Sequence, residues 1–309
     1  MTRHSKQLRN GDLVEMRSLN EIARTLKDGA LDDLPFMAEM LEFQGQRLRV
    51  SRRAKIACYA GGPYRGFNSE NVVTLDGVRC SGAAHAGCQK ACLIFWREEW
   101  LRKVENGSTA KPDVSEIDQL QLRSVKPNGN YHCQASELFQ YTHVVGRNER
   151  LKRYFAGWRS GNYNLFKAIR SFTAAMYWWV RGKLFGSYAY AAGTNTKTPV
   201  ESLNLQPGEW VQVKPLDKIR ETLDPRALNR GLYFSIDMRH LCGRKLRVRN
   251  RLDKMIEDDT GQMRQMRNTV CLEGTTCGCS YSGLGMADCA RCEFTYWREI
   301  WLQRCEPGN

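Results

Sequence analysis

The chain has 309 residues, 42% hydrophobic and 26% charged, which excludes wholesale disorder and leaves room for two domains. Its 47 Lys and Arg stand against 33 Asp and Glu, a net charge of +14, so a polyanionic or acidic partner is expected. Twelve cysteines are too few for a disulfide-dense mini-protein and too many to be incidental.

The opening MTRHSKQLRNGDLVEM lacks the apolar stretch of an export signal, so a cytoplasmic location is expected. In a reducing compartment, clustered cysteines read as metal ligands or catalytic thiols rather than bridges. From residue 11, GDLVEMRSLNEIARTL begins a unit that recurs at residue 208 as GEWVQVKPLDKIRETL. Farther on, LPFMAEMLEFQGQRLRV matches LYFSIDMRHLCGRKLRV, placing Phe36 on Phe234, Glu39 on Asp237 and Met40 on Met238. Cys80 then falls on Cys277, Cys88 on Cys289, Trp96 on Trp297 and Trp100 on Trp301. The chain therefore reads as a duplicated domain, with repeats at 11–105 and 208–305 and a mostly helical connecting segment at 106–207.

Within each repeat the alternation in DLVEMRS, RLRVSRR and VVTLDGV predicts short strands. Asn20 and Asp217 are expected to cap short helices at EIARTL and KIRETL. In CLIFWREEWLRKV, Trp96 and Trp100 stand at i, i+4 with Leu93 and Val104 on the same face, which predicts a closing helix. The expected fold class is α+β: two tandem small, partly open barrels, each ending in a cysteine-rich loop and a helix. The Gly-Asp-x-Val-x-Met opening resembles the first strand of SH3-like barrels.

In the connecting segment, ENGSTAKPDVSE is linker-like and QASELFQYT predicts a helix start. NLFKAIRSFTAAMYWWVRGKLF places Leu165, Ile169, Phe172, Met176 and Trp179 at helical spacing. Only ten uncharged residues separate Arg170 from Arg181, too few to cross a bilayer core. A core helix bridging the repeats is expected there, with peripheral membrane contact through 165–180 as the alternative.

The cysteines carry the chemistry. Cys58, Cys80, Cys88 and Cys92 supply four thiolates in the first repeat, enough for a tetrahedral zinc site or an iron–sulfur ([4Fe–4S]) cluster. His85 inside the loop and Cys133 in the connecting segment are further possible ligands. The second repeat offers Cys271, Cys277, Cys279, Cys289 and Cys292, with Cys242 as a possible substitute. Because Glu293 stands where the first repeat has Cys92, a second site must use a different ligand set. Only Cys289-Ala-Arg-Cys292 has the C-x2-C spacing of a zinc knuckle. The small-residue loops SGAAHAG and SYSGLG instead let backbone N–H groups approach sulfur closely, so an iron–sulfur centre is expected and zinc is the alternative. Trp96 and Trp297 would shield such centres from solvent.

No Walker, dinucleotide, zincin or nucleophile-elbow motif is present. Redox or metal-assisted chemistry is the expected role. The alternative is a zinc-stapled protein that binds nucleic acid or an anionic surface through Arg49, Arg52, Arg53, Arg247 and Arg249, which lie in the basic tracts RLRVSRRAK and GRKLRVRNR. Glu39 and Asp237, equivalent in the two repeats, are candidate functional carboxylates or caps.

The segments GDLVEMRS, LPFMAEM, RCSGAAHAGCQKACLIFWREEWL, YHCQASEL, LQPGEWVQVK and YWREIWL together resemble an uncharacterised bacterial family of two-repeat, cysteine-containing proteins. That resemblance spans most of the chain and implies the two-repeat architecture, with no activity attached. The second loop, CGCSYSGLGMADCARC, departs from the simpler loop of that family.

Overall fold

A computed structural model describes residues 7–59, 64–104, 120, 122–146, 149, 152, 155, 157–185, 191–277 and 289–307. The chain divides into two compact units. The first takes residues 1–172 with 256–263 and 286–291; the second takes 173–255, 264–285 and 292–309.

In the first unit, β1 (Leu13–Met16), β2 (Leu48–Arg53), β3 (Val72–Arg79), β4 (Leu93–Arg97) and β5 (Leu101–Lys103) form an antiparallel sheet of order β4-β3-β2-β1-β5. Register shifts between Val50 and Arg52 and between Thr74 and Arg79 mark bulges, which bend the strands and curl the sheet into a half-barrel. Val14, Val50, Leu75, Ile94 and Trp96 are fully buried in its core. Glu15, also buried on β1, accepts from Arg47 (3.2 Å) and Arg102 (2.9 Å) on the flanking segments, so its charge is paired where it is buried. A smaller sheet of Ile56–Ala57, Arg65–Phe67 and Thr142–Val144 ties part of the connecting segment into the same unit.

Helix α1 (Leu19–Ala23) is capped by Ser18 in a reciprocal capping box with Glu21, two residues before the expected Asn20. The expected closing helix is instead strand β4, one 3-10 turn (Glu98–Trp100) and strand β5. A spacing of four is close to one helical turn and is twice the strand period, so Trp96 and Trp100 alone could not separate the two. Pairing decides it: Trp96 stands opposite Val73 on β3. The 3-10 turn drives Trp100 inward, edge-on to Phe36 at 5.2 Å, with its indole N–H donating to Thr25 Oγ1 at 3.1 Å.

The second unit repeats this frame. Strands β6 (Trp210–Val213), β7 (Lys245–Arg251), β8 (Thr269–Thr276), β9 (Phe294–Arg298) and β10 (Leu302–Arg304) have the order β9-β8-β7-β6-β10. The 3-10 turn Glu299–Trp301 again precedes the last strand. Trp301 lies edge-on to Phe234 at 5.3 Å and donates to Thr222 Oγ1 at 3.0 Å. The short helix here, Leu216–Arg220, follows Pro215 with no side-chain cap, and Asp217 sits in its first turn rather than at the cap.

Of the connecting segment, α2 (Leu165–Phe185) is the long helix expected from its periodicity. QASELFQYT forms turns instead. Ser136 Oγ accepts from Cys133 N–H and donates to the Cys133 carbonyl, and the Tyr141 hydroxyl donates to the Gln134 carbonyl. Such local side-chain bonds compete with the helical ladder. Among the described residues, no helix is long and apolar enough to cross a membrane.

Candidate metal centre

Strand β3 delivers Cys80 to the mouth of a loop that closes on itself. Cys80 N–H donates to the Cys92 carbonyl at 2.9 Å, and Gly87 and His85 N–H both donate to the Gly82 carbonyl. Gly82 has φ +73°, and a Cβ there would lie 2.1 Å from the Cys88 carbonyl oxygen, so only glycine fits. The small residues thus serve close backbone packing, which turns His85 into the interior, where it is 2% exposed.

Both His85 ring nitrogens face acceptors. Nδ1 is 2.5 Å from Glu39 Oε1 and Nε2 is 3.0 Å from the His132 carbonyl oxygen. A carbonyl only accepts, so Nε2 carries a proton; beside an ionised Glu39 the ring carries a second on Nδ1. Burial alone would lower the His85 pKa, but the Glu39 hydrogen bond and charge outweigh it and raise it. Burial likewise works to raise Glu39, and His85 outweighs it in the other direction. His85, a possible ligand in the sequence, is in this structure a partner that orients Glu39. The other oxygen, Glu39 Oε2, is buried with no hydrogen-bond partner. Donor atoms of Glu39, Cys80 and His85 lie within 4.8 Å of one another.

Cys80 is the thiol grouped with this pair. Burial first, then the charges of Glu39, Cys92 and Cys133, push the Cys80 thiol up, while the Gly82 amide acts against them. Cys133, the possible ligand from the connecting segment, is buried in the same core as Cys80 and Cys88. Its thiol is pushed up by burial, against the amide and hydroxyl of Ser136, the Ala135 amide and the Lys90 ammonium. Cys88 Sγ accepts from Ile256 N–H at 3.4 Å.

Cys58 is placed elsewhere. Its sulfur lies 3.1 Å from that of Cys289, and its N–H donates to Cys289 Sγ at 3.2 Å. The described part of segment 286–291 is held by Ala290 N–H on the Ile56 carbonyl (2.8 Å) and by Arg291 on the Cys58 carbonyl (3.2 Å). Nearby, Asp258 joins Lys90 and Arg291 in a buried ionic triad, the Arg291 contacts being 2.9 and 3.0 Å. Burial works to raise Asp258; the two cations outweigh it and hold its carboxyl far below the usual range.

In the second unit, Cys271 is fully buried on β8 opposite Tyr296. Cys277 ends that strand, its N–H donating to the Glu293 carbonyl at 2.5 Å, the counterpart of the Cys80–Cys92 bond. Cys292 and Cys242 are half-buried, and burial pushes the Cys242 thiol up. Cys279 lies outside the described residues.

Of the arginines expected to face an anion, Arg53 is 2% exposed and spent on Glu98 and the Leu8 and Glu70 carbonyls. Burial withdraws it from any surface contact. Arg52 donates to the Cys289 carbonyl (3.2 Å), Arg49 to Gly11 (3.1 Å) and Arg247 to Gly208 (3.1 Å). Arg249 stacks on the Phe294 ring at 4.2 Å.

Sequence reasoning named Glu39 and His85 separately and missed their contact. Equivalence of Glu39 with Asp237 was the one available signal for a role beyond surface polarity. Nothing in the spacing pointed to the Cys58–Cys289 pair or to the Asp258 triad. The clustered cysteines permit metal binding. Compared with protein-family models, curated proteins and solved structures, the chain matches none.

Proposed function

We propose that the first unit carries a buried metal centre bound by Cys80, Cys88, Cys92 and Cys133, and that this centre is an iron–sulfur cluster serving redox chemistry. One observation carries the reading: Cys88 Sγ accepts from the Ile256 backbone amide at 3.4 Å beside the core that also holds Cys80 and Cys133. Amide donors stabilise thiolate charge and tune the potential of iron–sulfur centres. Four thiolates also close the coordination sphere, which suits outer-sphere electron transfer better than substrate ligation.

A second reading rests on a different observation. Glu39 Oε2 is orphaned in the core, and the Glu39 carboxylate lies within 4.8 Å of Cys80 Sγ. Tetrahedral zinc places its donors roughly 3.3–3.8 Å apart, given bonds of 2.0–2.3 Å. In that reading Glu39 and Cys80 bind zinc, and His85 orients the carboxylate from behind.

Anaerobic purification, a visible absorption spectrum and metal analysis of one sample test both. Brown protein with iron and sulfide, lost on Cys133→Ala, supports the cluster. Colourless protein with one zinc, lost on Glu39→Gln, moves the conclusion to the second reading. A metal-free sample sinks both and returns the cysteines to the core.

A further inference from the structure

Helix α2 presents an apolar face to solvent. Phe166 is 73% and Leu184 70% exposed, and Leu165, Ile169, Met176, Tyr177 and Val180 are exposed with them. At about 100° per residue these seven side chains fall within one arc of about 120° along the helix. Ala168, about 60° beyond the Leu165 edge of the arc, is buried, and Phe172, beside that edge, packs on Phe155 at 6.1 Å. The helix is therefore seated by one edge and leaves its richest apolar arc largely exposed, Phe166 and Leu184 most of all. An isolated apolar residue at the surface is ordinary, but seven on one face are not.

Charge says what covers it. From residue 151 to residue 200 the sequence contains no Asp or Glu and eight Lys and Arg. Lys167 and Arg170 flank the arc on one side. A face that buries against another protein of this charge would bring like charges together, whereas an anionic bilayer supplies both an apolar interior and a counter-charge. The helix, with Lys167, Arg170, Arg181 and Lys183 along it, is too polar to cross. We propose that α2 is an interfacial helix that lays its Phe166–Leu184 face into the headgroup region of an anionic lipid bilayer.

The test uses the full-length protein and phosphatidylcholine vesicles with and without phosphatidylserine, scored by flotation. Binding is expected to need phosphatidylserine, to weaken with salt, and to fall by at least about tenfold in Phe166→Glu/Leu184→Glu, since each apolar side chain withdrawn from lipid forfeits transfer energy. Both residues are exposed, so the variant retains its thermal unfolding midpoint. Failure to float with phosphatidylserine vesicles at low salt overturns the proposal. So does flotation that the double variant leaves unchanged. Sedimentation equilibrium supplies the third arm: a wild-type dimer that the variant converts to monomer, with no flotation, assigns the face to a second copy of the chain and also overturns it.

Discussion

Glu299 is fully buried in the second unit and organises the approach to β6. Its carboxylate accepts from the N–H groups of Leu203 (2.7 Å), Asn204 (3.0 Å) and Leu205 (3.1 Å), and pairs with Arg251 at 3.2 Å. Glu299→Ala removes one side chain and orphans three backbone donors, while Arg251 keeps the Leu205 carbonyl (2.9 Å) and Asp253 (3.3 Å). Hydrogen bonds to a charged group are worth roughly 1.5–3 kcal/mol each, but Leu203 and Asn204 are partly exposed and water can reach them. The uncompensated cost falls on the buried Leu205 N–H, for which a loss of about 1.5–3 kcal/mol is expected. At about 2–8 °C per kcal/mol for domains around this size, the Tm of this unit drops by at least roughly 3 °C. Glu299→Gln retains an acceptor oxygen without the charge and should fall between the two. Urea unfolding followed by tryptophan emission measures both, because Trp297 and Trp301 report on the same core. A loss for Glu299→Ala below about 1 kcal/mol would mean that solvent replaces the carboxylate, and would refute the reasoning.

Two further substitutions probe the frame and the thiols. Thr222→Val leaves the buried Trp301 indole N–H without its acceptor, costing about 1–3 kcal/mol, while Thr222→Ser restores it; equal stability of the two variants in urea would show that the bond contributes nothing. With sulfurs 3.1 Å apart, Cys58 and Cys289 are expected to be the first pair joined by the thiol oxidant diamide, seen as one cross-linked peptide by mass spectrometry; a first cross-link to Cys80 instead would contradict the observed pairing.

The frame was legible because it is written twice. Strands β1 and β6, β2 and β7, and β3 and β8 each coincide with the alternating segments DLVEMRS, RLRVSRR, VVTLDGV and their copies. The closing element was misread because LIFWREEW satisfies helix and strand periods together, and only the neighbouring β3 resolves the tie. The candidate site was legible in its residue types and not in its grouping. Cys80, Cys88 and Cys92 are close in sequence, so their loop announces them. Cys133 joins them from the connecting segment through a fold that spacing does not encode. Cys58 leaves them because Cys289, more than 200 residues later, sits against it. Periodicity describes which face a residue occupies, and it is silent on which distant face it meets.

The two repeats share a backbone bond at the site and differ in what surrounds it. Cys80 N–H on Cys92 and Cys277 N–H on Glu293 close equivalent loops, so the closure itself requires no thiol at the second position. What sets the first repeat apart is borrowed structure. Gln134 from the connecting segment accepts from Phe95 N–H and donates to the Phe95 and Pro35 carbonyls, which fixes the turn that carries Cys133. Residues 256–263 and 286–291, taken from the sequence of the second repeat, belong to the first unit, where Ile256 reaches Cys88 and Asp258 pairs with Lys90 and Arg291. A first repeat cut at residue 105 would lose Cys133, the Ile256 amide and the carboxylate that neutralises Lys90. Duplication supplied a second copy of the barrel, and part of that copy now completes the core of the first. The second copy retains the tryptophan frame, with Trp297 and Trp301 filling the core of its own barrel, while Glu293 stands where the first copy has Cys92.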